Sequence, residues 1–269
     1  MTRAIVLTST FPRHEYVVGV LARRHDVVGV WQEEKSFQPE RYAGSEEELR
    51  VVMEHFGRRD VMEADCFGEQ GTAKLSPGTV RRRIPAGGIN DPAEANLMEL
   101  LKPDVVLVFG TGILREPVLK PFEGRIINLH LGLSPYYRGP GTNFWPLVNR
   151  EPEFVGATIH ALDAGIDTGP IIAHVRPRIE RGDGPHDIGN KAIRAAADLL
   201  ADVAGMAAKG TVRSRPQWHK GRLYQRKHFN AEAVISLYRN FETGMTEEYL
   251  GNQAQRDSAI ELVTLETVA

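Results

Sequence analysis

The stretch VVLVFGTGILREPVLKPFEGRIINLH, residues 105–130, predicts two buried strands joined by a short helical segment. Residues 105–109 form a continuous apolar run that ends in a glycine-rich turn, and residues 125–130 form a second strand-like run. Strands that are apolar at nearly every position are typical of a parallel sheet covered by helices on both faces. The stretch therefore predicts the centre of an α/β protein.

The same alternation of strand and helix extends in both directions from this centre. Residues 4–8 (AIVLT) and 27–31 (VVGVW) predict strands with a helix over 13–24 between them. Residues 155–169 predict another strand followed by a glycine-rich turn, and residues 191–209 predict a closing helix. We therefore expect a Rossmann-like parallel sheet flanked by helices over residues 1–209, followed by a small C-terminal α+β subdomain over 210–269.

Capping and turn residues predict further elements. Ser45 begins a predicted surface helix that is interrupted near Gly57, and Asp91 caps a helix that runs to residue 101. The arginines at 81–83 predict a solvated edge strand, with anion binding as the less favoured alternative.

The last sixty or so residues differ in character from the rest. Residues 216–226 predict a hairpin around Lys220-Gly221, and residues 231–249 predict a single amphipathic helix. The apolar stripe of that helix packs on the main domain or forms a homodimer contact. The tail from Gly251 has no firm period and is interpreted as an arm or a disordered end.

Composition restricts the classes of function. The 269 residues include 33 Lys and Arg against 35 Asp and Glu, a net charge of −2, which disfavours nucleic acid as a partner. No apolar run reaches the roughly 18 residues of a membrane span, and the N-terminus has no signal-peptide pattern. Cys66 is the only cysteine, as in a cytoplasmic protein without disulfides. The turn after the first strand has no glycine, which disfavours NAD.

Polar residues at the ends of two predicted strands could carry chemistry. Asn128 and His130 are two positions apart, so both project to the same side at the carboxyl end of their strand. Asp163 and Asp167 lie in the turn after the next strand. Each residue alone is explained by loop hydrogen bonds. Together they supply an amide, an imidazole and a carboxylate, which suit acyl transfer without a covalent enzyme intermediate.

Two other chemistries fit the sequence less well. His130, His160 and Asp167 are of metal-binding types, but their spacing matches no compact metal motif, so no metal is expected. Ser134 lacks a nucleophile elbow, and Cys66 lies among acidic residues that would raise the pKa of its thiol.

INLHLGLSPYYRGPGT (127–142) and VGATIHALDAGIDTG (155–169) resemble the catalytic core of the folate-dependent formyltransferases. That family includes enzymes acting on glycinamide ribonucleotide, methionyl-tRNA and amino sugars. The resemblance is carried by an Asn-x-His strand, a Ser-Pro-x-Tyr-Arg-Gly loop, a Thr-x-His strand and an Asp-x-Gly-x-Asp-Thr-Gly turn, in that order. It is good over residues 105–173 and limited to general layout over the first hundred.

The resemblance implies roles for individual residues. Asn128, His130 and Asp167 fall on the family's catalytic positions, with His160 in support. The donor would be 10-formyltetrahydrofolate, bound mainly by backbone groups. The implied folate-binding residues are Gly112, Ile113 and Leu114 after one strand, and Ala161, Asp163, Gly165 and Ile166 around the turn. Asn128 would donate to the oxyanion. Either His130 or Asp167 would take the proton of the attacking amine. Arg138 binds an anion or caps its loop.

The acceptor is inferred by elimination. The segment after Gly210 is small beside the basic tRNA-binding domain of methionyl-tRNA formyltransferases, and glycinamide ribonucleotide formyltransferases are shorter single domains. We therefore expect a small amine, such as an amino sugar or a nucleotide-linked amino sugar. The alternatives are a methionyl-tRNA formyltransferase, a hydrolase of formyl-folate or a formamide, and, least favoured, a non-catalytic folate binder.

Overall fold

A seven-stranded sheet forms the centre of the protein in a computed structural model that describes residues 1–35, 38–68, 74–163, 165 and 167–267. The strands are β1 (Arg3–Ser9), β2 (Asp26–Glu33), β3 (Val80–Ile84), β4 (Val105–Val108), β5 (Ile126–His130), β6 (Tyr137–Arg138), β7 (Ala157–Ala161), β8 (Ile171–Val175) and β9 (Arg222–Leu223). The sheet order is β3-β2-β1-β4-β5-β7-β8, while β6 and β9 form a separate parallel pair.

The sheet confirms the predicted α/β class. From β3 to β5 the neighbouring strands are parallel, as in a Rossmann-like sheet. β7 and β8 add to the β5 edge in antiparallel orientation. Because β7 runs back along β5, its residues face those of β5 directly, and the turn from β7 to β8 begins beside the amino end of β5, where the Leu162 N–H donates to the Ile126 carbonyl oxygen.

Helices cover both faces of the sheet. They are α1 (Pro12–Arg24), α2 (Glu46–Phe67), α3 (Pro92–Leu100), α4 (Glu116–Leu119), α5 (Trp145–Val148), α6 (Pro185–Ala208), α7 (Ala231–Glu242), α8 (Met245–Gly251) and α9 (Gln253–Ser258). Leu21 of α1 and Leu200 of α6 are fully buried in one core, and Met98 of α3 is fully buried in a second core with Trp31. None of these helices is long and apolar enough to cross a bilayer, within the ranges described.

Most of the elements predicted from capping and turn residues in the first half of the chain are present. The Ser45 hydroxyl accepts the Glu48 N–H at 3.2 Å, as expected of a helix cap. α2 continues through Gly57 without a break, so the predicted interruption is wrong: the cost of one glycine, about 1 kcal/mol, is outweighed by the packing of the helix. The arginines at 81–83 do lie on the edge strand β3, where Arg81 pairs with Glu15 and Arg82 with Glu94.

Three C-terminal predictions are wrong. The expected hairpin at 216–226 is absent from the described chain, because β9 pairs in parallel with the distant β6. The expected single helix is two helices, α7 and α8. Gly244 lies between them with φ +78°, a left-handed conformation that does not continue an α-helix. The tail beyond Gly251 contains α9 and then packs on β8, where Val263 exchanges two hydrogen bonds with His174, at 2.7 and 2.9 Å. The subdomain boundary at residue 210 stays a prediction.

Candidate active site

Strands β5 and β7 bring three polar side chains together. Asn128 and His130 lie on one face of β5, and His160 of β7 is the register partner of Asn128. The amide nitrogen Nδ2 of Asn128 is 3.0 Å from Nε2 of His160. The two-residue spacing that suggested this site therefore does place Asn128 and His130 on the same side of the sheet.

Asp167 approaches these residues from the turn between β7 and β8. Its Oδ2 is 3.4 Å from Nδ1 of His130 and accepts the backbone N–H of Gly139 at 3.1 Å. Its Oδ1 is 3.8 Å from Nε2 of His160. The carboxylate, the imidazole and the amide predicted from two separate segments thus lie in one cluster. We call Asn128, His130, His160 and Asp167 the candidate catalytic cluster.

The partners of His160 fix the orientation of the Asn128 amide. Nδ1 of His160 is 3.0 Å from the carbonyl oxygen of Ala161, which can only accept, so Nδ1 carries the proton. In the neutral ring, Nε2 then accepts from Nδ2 of Asn128. An amide nitrogen has two hydrogens, so the second N–H of Asn128 is available to another acceptor.

The imidazole of His130 is buried between the cluster and a loop. Its Nε2 is 3.3 Å from the carbonyl oxygen of Tyr137 and 3.3 Å from the hydroxyl of Thr142. Burial lowers the pKa of His130, and the neighbouring Asp167 carboxylate opposes this only in part. His130 is therefore neutral at neutral pH and able to accept a proton.

The Asp167 carboxyl is held in its ionised form. Burial alone would raise its pKa, but His130, His160 and the Gly139 N–H outweigh burial and lower the pKa to about 2. Gly139 has to be glycine here: its φ is +90°, and a Cβ would lie 2.1 Å from the carbonyl oxygen of Tyr224. The Arg-Gly pair of the loop therefore delivers a backbone donor to Asp167.

The turn that carries Asp167 is stabilised from within and from outside. The Asp163 carboxylate accepts the Gly165 N–H at 3.0 Å and the Thr168 hydroxyl at 2.8 Å, so this side chain shapes the turn. Gln217, in the segment before β9, donates through Nε2 to the carbonyl oxygens of Asp167 and Gly169, at 2.7 and 3.0 Å.

The predicted folate-binding segment after β4 is held by two side chains. The Glu33 carboxylate accepts the Gly112 N–H at 2.5 Å and the Gly87 N–H at 2.6 Å. The Asn90 amide donates to the Ile113 carbonyl oxygen at 2.9 Å. The Asn90 side chain also accepts the Arg115 N–H at 2.7 Å. Between Ile113 and Arg115, the backbone N–H and C=O of Leu114 form no hydrogen bond with any part of the chain that the structure describes, although its side chain is buried. Leu114 thus offers one free donor and one free acceptor.

The backbone groups of Ala161, another predicted folate-binding residue, already have partners within the protein. The backbone N–H of Ala161 bonds to Pro170 at 3.0 Å, and its carbonyl oxygen accepts from His160. Ile166 lies outside the described residues. Over those ranges no group of three or more His, Cys, Asp and Glu side chains is arranged to hold a metal ion.

Sequence reasoning missed the residues that support this site. Glu33, Asn90 and Gln217 each hold a loop backbone through a side chain that is distant in sequence. Only Glu33 left a signal: it is a carboxylate at the carboxyl end of a predicted buried strand, where ligand sites of α/β sheets lie.

Comparison with known proteins agrees with this geometry. A sequence model described as formyl transferase matches residues 12–204. The chain belongs to the formyl transferase family. A curated methionyl-tRNA formyltransferase from Chloroflexus aggregans is 33% identical to this formyl transferase over 150 residues, which are 55% of this chain and 45% of that protein. Another from Chloroflexus aurantiacus is 29% identical over 207 residues, 74% of this chain and 57% of that protein. The chain thus spans about half the length of the curated relatives it matches.

Solved structures of formyltransferases share the fold of this family member. Glycinamide ribonucleotide transformylase 1 from Symbiobacterium toebii has a TM-score of 0.55 and 19% identity, with 81% of this chain and 94% of that chain covered. A sugar N-formyltransferase from a Shewanella species has a TM-score of 0.53 and 16% identity, with 87% and 88% covered. At these identities the likeness concerns the fold alone.

Proposed function

We propose that this formyl transferase moves the formyl group of 10-formyltetrahydrofolate to the amine of a small acceptor, an amino sugar or a nucleotide-linked amino sugar. The proposal is carried by the candidate catalytic cluster, in which Asp167 contacts His130 while His160 holds the amide of Asn128. Family membership supports the reaction class.

Asn128 stabilises the charge that develops during formyl transfer. When the amine attacks the formyl carbon, the formyl oxygen becomes negative. The second N–H of Asn128, left free by the contact with His160, donates to that oxygen. A donor already oriented toward a developing oxyanion contributes about 3–4 kcal/mol to transition-state stabilisation.

His130, rather than Asp167, takes the proton of the attacking amine. Asp167 has a pKa of about 2 and is therefore too weak a base. His130 is neutral at neutral pH because burial lowers its pKa, and the adjacent Asp167 anion stabilises the imidazolium once it has formed. His130 then returns the proton to the folate nitrogen that leaves. This difference in basicity supports His130 as the proton acceptor.

The donor site is supported by the segment that contains Leu114. A pterin ring carries hydrogen-bond donors and acceptors on its edge and is matched by a free backbone N–H and C=O on a rigid segment. Asn90 holds Ile113 and Arg115 on either side of Leu114, and Glu33 holds the preceding Gly112. Gly112, Ile113 and Leu114 would therefore hold the folate, together with the turn over 161–167.

A second candidate acceptor is methionyl-tRNA. It is favoured by the curated relatives, which are methionyl-tRNA formyltransferases. The net charge of −2 favours the small amine, because binding of tRNA phosphates usually requires a basic surface.

The test is an acceptor screen with the purified protein and 10-formyltetrahydrofolate. Release of tetrahydrofolate is followed by absorbance, and the formylated product by mass spectrometry. The panel contains nucleotide-linked amino sugars, free amino sugars, glycinamide ribonucleotide and charged initiator tRNA, with a sample lacking any amine. We expect turnover with an amino sugar and its loss in His130→Ala. Turnover without amine would indicate a hydrolase, and turnover with tRNA alone would replace the proposed acceptor. Absence of turnover with every member of the panel would refute the proposal.

A further inference from the structure

Arg138 carries a guanidinium group for which the described residues provide no partner. Within that part of the chain its buried Nε has no hydrogen-bond partner, and no carboxylate forms an ion pair with the side chain. A buried donor without a partner is unfavourable, because it has given up its hydrogen bonds to water. Such a cost indicates that a group outside the chain completes the contact.

The backbone of Arg138 lies between two contacts to the candidate catalytic cluster. The carbonyl oxygen of Tyr137 is 3.3 Å from Nε2 of His130, and the N–H of Gly139 donates to Asp167 at 3.1 Å. Arg138 therefore lies in the chain between the residue whose carbonyl oxygen contacts His130 and the residue whose N–H contacts Asp167. Its side chain leaves the backbone beside both contacts.

The carboxylates that contact the neighbouring Tyr137 and Gly139 have other partners. Glu151 binds Arg222 through both carboxylate oxygens, at 2.6 and 3.0 Å, and also accepts from the hydroxyl of Tyr137. Side chains alternate across a strand, so Arg138 projects to the face opposite Tyr137 and away from this ion pair. Asp167 faces His130 and the Gly139 N–H. The charge of Arg138 is thus not neutralised by these groups.

We propose that Arg138 binds a phosphate or carboxylate group of a substrate beside the candidate catalytic cluster. A guanidinium presents several N–H donors in a planar fork that matches the two oxygens of such groups. Two substrate groups share this chemistry: the phosphates of a nucleotide-linked acceptor and the glutamate carboxylates of the folate. The identity of the substrate rests on the proposed function, whereas anion binding at Arg138 does not.

Direct observation of the Arg138 Nε–H by NMR tests the proposal without catalysis. The resonance is assigned by its loss in Arg138→Met, and it is followed during titration with pyrophosphate, with uridine diphosphate and with pentaglutamyl tetrahydrofolate. We expect at least one of these probes to shift the signal, and Arg138→Met to weaken its binding about 10-fold or more. Arg138→Lys keeps the charge without the fork and should retain part of the affinity.

Arg178→Met is the matched control, because the Arg178 side chain is 88% exposed and only loosely paired with Glu180 at 3.5 Å. It should leave every titration unchanged. A shift with the diphosphates alone assigns the site to the acceptor, and a shift with the folate alone assigns it to the donor. If none of the three probes moves the Arg138 signal, or if Arg138→Met binds them as the wild type does, the proposal is overturned. Anion binding in a protein that transfers no formyl group would refute the proposed function only.

With an active enzyme, kinetics give a second readout. Arg138→Met should raise the KM for the substrate that carries the bound anion about 10-fold or more while changing kcat little, because the lost contact is made in both ground and transition states. An equal fall in kcat with unchanged KM for both substrates would contradict anion binding. Because Arg138→Met removes an unpaired buried donor, the variant should unfold at the temperature of the wild type or above it.

Discussion

Gln217 holds the backbone of Asp167 through a 2.7 Å hydrogen bond from its side-chain nitrogen to the Asp167 carbonyl oxygen. Asp167 has φ +51°, a left-handed conformation that is unfavourable for a residue with a Cβ. The segment that carries Gln217 is itself anchored, since Arg215 exchanges two backbone hydrogen bonds of 2.7 Å with Ile171 of β8. The C-terminal region therefore holds the backbone of Asp167 in place.

Replacing Gln217 by methionine should slow the reaction without preventing folding. The variant keeps the length of the side chain but loses the donor to both Asp167 and Gly169. Loss of hydrogen bonds worth roughly 1–3 kcal/mol would lower kcat by about 5- to 100-fold if the carboxylate moves away from His130. Steady-state kinetics measure kcat and KM, and an NMR titration of the His130 imidazole measures its pKa.

A purely structural role for Gln217 predicts a different result. In that case the melting temperature would fall while kcat and the pKa of His130 per folded molecule stayed as in the wild type. Gln255→Met is the control, because Gln255 is exposed on α9 and its side chain makes no hydrogen bond in the described chain.

Asn128 and His160 should behave as one unit in a double-mutant cycle. Asn128→Ala removes the oxyanion donor and should lower kcat by about 100- to 1000-fold. His160→Ala leaves the Asn128 amide free to rotate and should lower kcat by about 10-fold. Because His160 acts through Asn128, its removal should cost almost nothing once Asn128 is already alanine. Additive losses in the double variant, measured by steady-state kinetics, would show that His160 acts independently.

Glu33 should affect the folate and not the acceptor. Glu33→Gln replaces one acceptor oxygen by an NH₂ group. This NH₂ donor then faces another donor, the N–H of Gly87 or of Gly112, and one of the two hydrogen bonds is lost. The segment around Leu114 then loosens, and we expect the KM for 10-formyltetrahydrofolate to rise about 10-fold with kcat within about 3-fold.

The neighbouring Glu34→Gln serves as the control for this variant, because Glu34 is exposed and its side chain makes no hydrogen bond among the residues described. Initial rates at varied donor concentration provide the measurement. A change in the acceptor KM alone would remove Glu33 from the donor site.

The sequence was informative where local pattern decides the outcome. The run at 105–109 and the Asn128-x-His130 spacing depend only on burial and on strand alternation, and both were predicted correctly. β6 and β9 have two residues each, which is too short for any period to be visible.

The supporting contacts depend instead on loops that meet only in the folded chain. Gly112 and Glu33 are 79 positions apart, and Gln217 and Asp167 are 50 apart. No local propensity specifies such a pair. The placement of Asn128 and His130 was thus predictable from the strand that carries them, and the contacts that support the cluster were not.

The pH dependence of the reaction should report His130. The base must be neutral, so kcat/KM should fall as pH decreases through the pKa of His130. Because burial lowers that pKa, this acidic limb of the pH profile should lie below the ordinary histidine value of 6.5. Asp167, with a pKa of about 2, stays ionised throughout this range and contributes no limb. Asp167→Asn removes the group that raises the pKa of His130, so the limb should move to lower pH while kcat drops about 100-fold. The attacking amine must also be neutral, and its titration is the same in every variant. A limb that persists unchanged in His130→Ala would therefore belong to the substrate and would contradict the assignment of His130 as the base.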